Sequence, residues 1–169
     1  MRTINALVAG LIIFFLACGG DKGTGADKEL SLLITPDSLT IDRYDEVDFS
    51  VEIENVNSMF VVAFNFVIEG ANADILDVTI PSSEFLGGNA MSFYEEIYGG
   101  VSVSVGHTQS DGDDNISGSG TICNIKIRWF FEGNATIQLK NIAIVNDMGE
   151  NVQGLTNIKT NISQIKINR

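Results

Sequence analysis

The residues best placed to do chemistry in this 169-residue chain form an acidic loop between positions 109 and 120. Asp111, Asp113 and Asn115 place oxygen atoms at alternate positions, which is a spacing that Ca²⁺ uses in binding loops. No glutamate stands where it would complete such a site by bidentate ligation. We therefore interpret the segment as a solvated acidic turn, and we predict no metal site and no cofactor.

The remaining candidates for catalysis are two adjacent glutamates and one histidine. Glu95 and Glu96 have the chemistry of a glycosidase pair, but adjacent residues of a strand point to opposite faces. His107 is the only histidine in the chain, and no serine or cysteine pairs with it in the sequence. Since no catalytic constellation remains, the sequence predicts that the protein is not an enzyme.

The elements that must position these residues are strands. From Phe60 to Glu69, apolar side chains alternate with a second set that includes Asn65, and the same period of two recurs along the chain. Gly99-Gly100 predicts a tight hairpin turn, and a change of phase near Asn141 predicts a β-bulge. About nine such segments, separated by turn signals, predict an all-β fold, a jelly-roll β-sandwich.

The first 28 residues differ from the rest of the chain. A positive start precedes an apolar stretch that is too short to span a membrane and ends in Leu16-Ala17-Cys18-Gly19, which resembles a bacterial lipobox. We expect a signal peptide over residues 1–17, a lipid on Cys18, a Gly-rich tether over 18–28 and a folded domain over 29–169. This predicts a protein anchored to a bacterial membrane by its lipid only, at the outer membrane or cell surface. An ordinary secretory signal is the alternative.

The net charge excludes some classes of partner, and the cysteine content excludes a disulfide within the chain. The formal net charge of −12 argues against nucleic acid and against electrostatic docking on anionic lipid. With Cys18 used by the lipid, Cys123 is alone, so no intramolecular disulfide is possible. Cys123 is in phase with Ile125 and Trp129, and we expect it to be a small buried side chain.

From about Leu30 to Asn168, the order of these motifs resembles a cohesin domain, the receptor module that binds dockerin modules in cellulosomes and related surface assemblies. Glu69-Gly70-Ala71-Asn72 stands where that family often has Tyr-Asp-Pro. The resemblance implies a nine-stranded jelly roll that binds a protein without catalysis. It is carried by Asp45-Glu46-Val47 with VDFSVEIENV, and by VVAFNFVIEGANADILDVTI, SFYEEIYGGVSVSV, ISGSGTICNIKIRWF and ATIQLKNIAIVNDMGENV.

The resemblance also implies a binding face, because one flat sheet face binds the partner in that family. The chain would then be a surface lipoprotein that binds a dockerin-like module for extracellular assembly or polysaccharide-related attachment. One alternative is a carbohydrate-binding module of the same fold, using Tyr44, Tyr94 and Tyr98; another is an assembly subunit with Asn157–Arg169 as its complementing strand. Carried over by position, the face includes Asn65, Val67, Tyr94, Glu96, Tyr98, Ser102 and Ser104.

Overall fold

The structure, a computed structural model, describes residues 29–81, 85–86, 90–107, 115–152 and 157–169. The predicted signal peptide, Cys18, the tether and residues 111–114 of the acidic loop lie outside these ranges. Within them, no helix could cross a membrane. The strands are β1 (Ser31–Thr35), β2 (Ser38–Asp42), β3 (Glu46–Met59), β4 (Val61–Glu69), β5 (Ala73–Thr79), β6 (Ala90–Ile97), β7 (Gly100–His107), β8 (Ile116–Trp129), β9 (Gly133–Val145), β10 (Lys159–Thr160) and β11 (Ile162–Asn168).

The strands form two sheets, which confirms the predicted all-β sandwich. One sheet has the order β10-β1-β3-β8-β5, and the other has the order β2-β11-β9-β4-β7-β6. The described residues form eleven strands instead of nine. β2 is not predicted by the sequence pattern, because so short a strand shows only Leu39 and Ile41 in alternation.

The last predicted strand is divided at Asn161, where the chain passes from one sheet to the other. The side chain of Asn161 accepts a hydrogen bond from the backbone N–H of Ile34 at 2.7 Å and donates one to its carbonyl at 2.8 Å. It therefore takes the place of a strand partner for β1. Beyond it, β11 pairs with β2 and β9, so the C-terminal stretch lies within the domain.

The inward side chains of both sheets meet in one core. Phe49 lies between Phe66 and Trp129, with ring centroids 6.4 Å apart in each pair, and all three rings are buried. Cys123 is also buried, as the sequence predicts, and burial raises the pKa of its thiol to about 12 because the thiolate is poorly solvated there. This core is the support on which the outward faces are built.

Two local irregularities set the register of the strands that matter for function. The β-bulge near Asn141 is confirmed, since Ala63 lies opposite Ala143 whereas Asn65 lies opposite Lys140. Asn141 has a φ of 53°, in the left-handed region. The β6–β7 hairpin turns at residues 98 and 99, one residue earlier than predicted, because Ile97 already pairs with the first residue of β7.

Candidate protein-binding face

The candidate site is the outer face of β9, β4, β7 and β6, which we call the flat face. Residues directly opposite each other in antiparallel strands point to the same side of a sheet. Neighbouring strands lie about 4.8 Å apart, so the four strands span about 14 Å. Three rows cross them in the order β9, β4, β7, β6: Ala143, Ala63, Ser104 and Phe93; Lys140, Asn65, Ser102 and Glu95; Gln138, Val67, Gly100 and Ile97.

Small side chains occupy the centre of the flat face. Asn65, Ser102 and Ser104 are half-buried, and their side chains make no hydrogen bond with any described residue. At Gly100 even a methyl group is excluded, because a Cβ there would collide with the backbone carbonyl of Phe66. The centre is therefore a low surface with free hydrogen-bonding groups that a partner can approach closely.

Larger apolar side chains stand along β6, at the edge of the flat face. Phe93 is 66% exposed and Met91 is 47% exposed. Phe93 lies opposite Ser104, and Met91 lies opposite Gly106, so both rise beside the small central residues. Exposed aromatic side chains next to a low surface are typical anchors of protein interfaces.

The prediction that Tyr94 and Glu96 belong to this face is wrong. Tyr94 lies opposite Val103, and Glu96 lies opposite Val101, and both valines point into the core. In a hairpin with a two-residue turn, the sequence numbers of two opposite residues add up to an odd number. Even-numbered residues of β6 therefore share a side of the sheet with odd-numbered residues of β7. Phe93 and its neighbours two positions away were missed for this reason, although the turn length contains the information.

Tyr98 is placed by the structure in the β6–β7 turn and not in the ladder of the flat face. It is fully exposed, at the end of the hairpin. Of the other exposed tyrosines, Tyr44 lies in the β2–β3 turn and Tyr94 lies on the inward side of β6. The three tyrosines therefore do not form one row on the flat face.

The charges of the flat face largely balance. The ammonium group of Lys140 donates a hydrogen bond to the carboxylate of Glu69 at 2.7 Å. This hydrogen bond, with the attraction between the two charges, lowers the pKa of Glu69 below its usual value. Glu95 is then the one unpaired charge in the second row of the face. The groups that this row offers to a partner are therefore mainly hydrogen-bonding and apolar ones.

The geometry gives little support to catalysis by Glu95 and Glu96 or to a metal site among the described residues. Glu95 and Glu96 point to opposite sides of β6, as the sequence predicts. His107 ends β7, and its side chain lies outside the described residues. No three histidine, cysteine or acidic side chains in the described ranges come together as metal ligands.

The fold can now be compared with known proteins. No protein-family model and no curated protein matches the chain at a significant level. The solved structures do: a non-cellulosomal cohesin from the archaeon Archaeoglobus fulgidus superposes with a TM-score of 0.65 at 15% identity, covering 83% of this chain and 92% of that one. The chain has the cohesin fold.

Two further cohesins superpose equally well. A type II cohesin domain from the cellulosome of Acetivibrio cellulolyticus has a TM-score of 0.65 at 16% identity, over 81% of this chain and 95% of its own. The cohesin of a type I cohesin–dockerin complex from Clostridium thermocellum has a TM-score of 0.65 at 12% identity, over 82% and 93%. At such identities the similarity is one of fold, which confirms the predicted cohesin-like sandwich.

Proposed function

We propose that this cohesin-fold domain is a non-catalytic receptor that binds a protein partner through the flat face. The observation that carries the proposal is the low, nearly neutral surface of Asn65, Ser102 and Ser104 beside the exposed side chain of Phe93. Such a surface combines an apolar anchor with free hydrogen-bonding groups. The two extra strands do not interrupt this face, since its four strands form one continuous ladder.

The partner that we propose is a dockerin-like module. The support is indirect and comes from the similar structures, of which several are described as cohesins in complex with a dockerin, from Clostridium thermocellum and Acetivibrio cellulolyticus. A polysaccharide ligand is less well supported, because Tyr44, Tyr94 and Tyr98 do not form a row of aromatic rings on one surface. The proposed partner is therefore a folded module and not a sugar chain.

The proposed location is the surface of a bacterial membrane, with the domain held by a lipid on Cys18. The support is the sequence Leu16-Ala17-Cys18-Gly19 at the end of an apolar stretch. Growth with labelled palmitate should label the protein, and Cys18→Ser should abolish the label and release the protein from the membrane fraction. A labelled Cys18→Ser protein would contradict the anchor.

The binding face is tested by placing a long side chain in its centre. Ser102→Arg should weaken binding of the captured partner by about 100-fold, because the arginine holds the two surfaces apart and brings an unpaired charge into the interface. Thr79→Arg, on the outer face of the other sheet, is the matched control and should bind normally. The partner is isolated by affinity capture, identified by mass spectrometry and titrated calorimetrically with each variant.

Equal affinity of Ser102→Arg and the unmodified protein would refute the proposed face. Retention of the protein on insoluble cellulose or chitin, without capture of a protein, would instead favour the carbohydrate-binding alternative. Thermal unfolding of both arginine variants serves as the check on folding, and both should unfold near the temperature of the unmodified protein, since both sites are on the surface.

A further inference from the structure

A groove of about 1330 Å³ opens at one end of the sandwich and borders the flat face, with which it shares Glu69, Ile97 and Gly100. Three turns that are distant in the sequence form its walls, together with the first half of β5. One wall is held in place by Gly70, whose φ is 90° and where a Cβ would lie only 2.7 Å from the carbonyl oxygen of Asn134. The lining segments are residues 68–76, 96–100 and 130–132.

Two open sheet edges border this groove. β5 is the last strand of one sheet and β6 is the last strand of the other. Among the described residues β5 pairs with β8 only, so the backbone groups on its other side have no strand partner. An extended peptide can add to such an edge by main-chain hydrogen bonds. The groove thus suits an extended segment better than a compact small molecule.

Exposed apolar side chains flank the groove on both sides. Tyr98 is fully exposed at the hairpin tip, Phe131 is 59% exposed after β8, and Leu76 is 39% exposed on β5. Leu76 lies at a bulge, where the register between β5 and β8 shifts, which turns this part of the strand away from regular pairing. These three side chains can serve as contacts for apolar or cationic groups of a bound segment.

The charge of the groove decides the chemistry of the occupant. The carboxylates of Asp74, Glu96 and Glu132 make no ion pair or hydrogen bond with any described residue. Arg128, which lies opposite Asp74 in the sheet, is bound to Glu46 instead. None of the described residues that line the groove is a lysine or an arginine. A second copy of a chain with a net charge of −12 would be repelled, whereas a cationic segment would be attracted.

We propose that this groove binds an extended, lysine- or arginine-bearing segment of a partner protein. The segment adds to the free edge of β5, its cationic groups lie against Asp74, Glu96 and Glu132, and its remaining side chains contact Tyr98 and Phe131. Cations over aromatic faces and beside carboxylates gain from both kinds of contact. The carboxylates and aromatic rings that carry this proposal lie outside the flat face, so the proposal does not depend on the function assigned to that face.

The probe is a fluorescein-labelled peptide of alternating lysine and valine, titrated with the full-length protein and followed by fluorescence anisotropy. Saturable binding that weakens with added salt is expected, because exposed charge pairs are screened. The same peptide with glutamate in place of lysine should not bind. Failure of the lysine peptide to bind at low salt, or binding of a cello-oligosaccharide in its place, would overturn the proposal.

A matched pair of variants separates the groove from general attraction to an acidic protein. The groove variant Asp74→Asn/Glu96→Gln/Glu132→Gln should weaken peptide binding by about 30-fold, at about threefold for each carboxylate. The control variant Glu29→Gln/Asp37→Asn/Asp147→Asn removes the same charge from exposed positions that do not line the groove and should weaken binding by less than about twofold. An equal loss in both would show diffuse attraction only and refute the site.

Two further measurements test the geometry. Tyr98→Ala should weaken binding of the peptide by about fivefold, because a cation–π contact is lost. The unfolding temperature should not change, because this side chain is fully exposed. Amides of Ala73–Leu76 should gain protection from hydrogen exchange on binding, and unchanged exchange would refute strand addition. Phe93→Ala, on the flat face two rows away from the groove, should bind the peptide normally, so failure of the groove and failure of the flat face give different results.

Discussion

The two outer faces of the sandwich arise from the same alternation along the strands but carry different side chains. On the five-stranded sheet, neighbouring strands are joined by opposite charges: Glu46 with Arg128, and Asp48 with Lys126. On the six-stranded sheet, the flat face has alanine, serine and glycine across its centre. Away from the edge strand β6, the inward faces of both sheets are alike in being largely apolar and buried.

The difference is the one that the proposed function requires, with one outer face solvated and the other open to a partner. Charges that face each other across strands are well solvated and make edge-to-edge association unfavourable. Small, nearly neutral side chains hold water less strongly and let a second surface approach. The packing of the core does not depend on which side chains the outer faces carry. Residues that contribute little to folding can therefore determine what each outer face binds.

The largest effect is expected on stability, when an inward and an outward side chain of β4 are each replaced by alanine. Phe66→Ala should lower the free energy of unfolding by about 3–5 kcal/mol, because it leaves a cavity beside Phe49 in the core. Val67→Ala, on the flat face, should cost less than about 1 kcal/mol. Urea denaturation measures both, and similar losses for the two variants would show that β4 is not divided between core and surface.

A smaller effect is expected on binding from two neighbours on β6. Phe93→Ala should lower the affinity of the flat face for its proposed partner by about 10-fold, since Phe93 is the exposed aromatic side chain proposed as an anchor there. Tyr94→Ala should change the affinity by less than about twofold, because Tyr94 points to the other side of the strand. Calorimetric titration distinguishes them, and the reverse order of effects would support the grouping that the sequence alone suggests.

The smallest effect concerns one glutamate on each outer face. The hydrogen bond from Arg128 lowers the pKa of Glu46 below its usual value, and the one from Lys140 does the same for Glu69. Each pair therefore contributes stability that is present above the unfolded-state pKa and is lost as the pH falls through the folded-state pKa. Carboxyl NMR titration should show Arg128→Gln raising the pKa of Glu46 alone, and Lys140→Gln raising that of Glu69 alone. A rise of both in either variant would contradict independent faces.

Much of the fold follows from local patterns. Alternation along β3, β4 and β8 predicts which side chains enter the core, and the phase change at Asn141 predicts the bulge. The short β2 and the side-chain link from Asn161 to Ile34 could not be predicted, because they depend on contacts between distant parts of the chain.

The flat face was predicted in part. Asn65, Val67, Ser102 and Ser104 lie together as expected, because each strand by itself shows its outward positions. The β6 residues were assigned to the wrong side, because sides on two strands can be matched only through the turn that joins them. The groove could not be predicted from the sequence, since its walls come from segments that are 20 to 30 residues apart in the chain.

The position of β6 has a consequence for how binding specificity can change in evolution. Among the described residues β6 pairs with β7 only, and the side chains from Met91 to Glu96 are exposed on both sides of the strand. Adding or removing one residue at Tyr98-Gly99 would rotate the strand by half a turn relative to β7 and leave the core as it is. Phe93 and Glu95 would then give way to Tyr94 and Glu96 on the flat face. A single codon insertion or deletion is thus enough to offer a partner a new set of side chains on an unchanged scaffold.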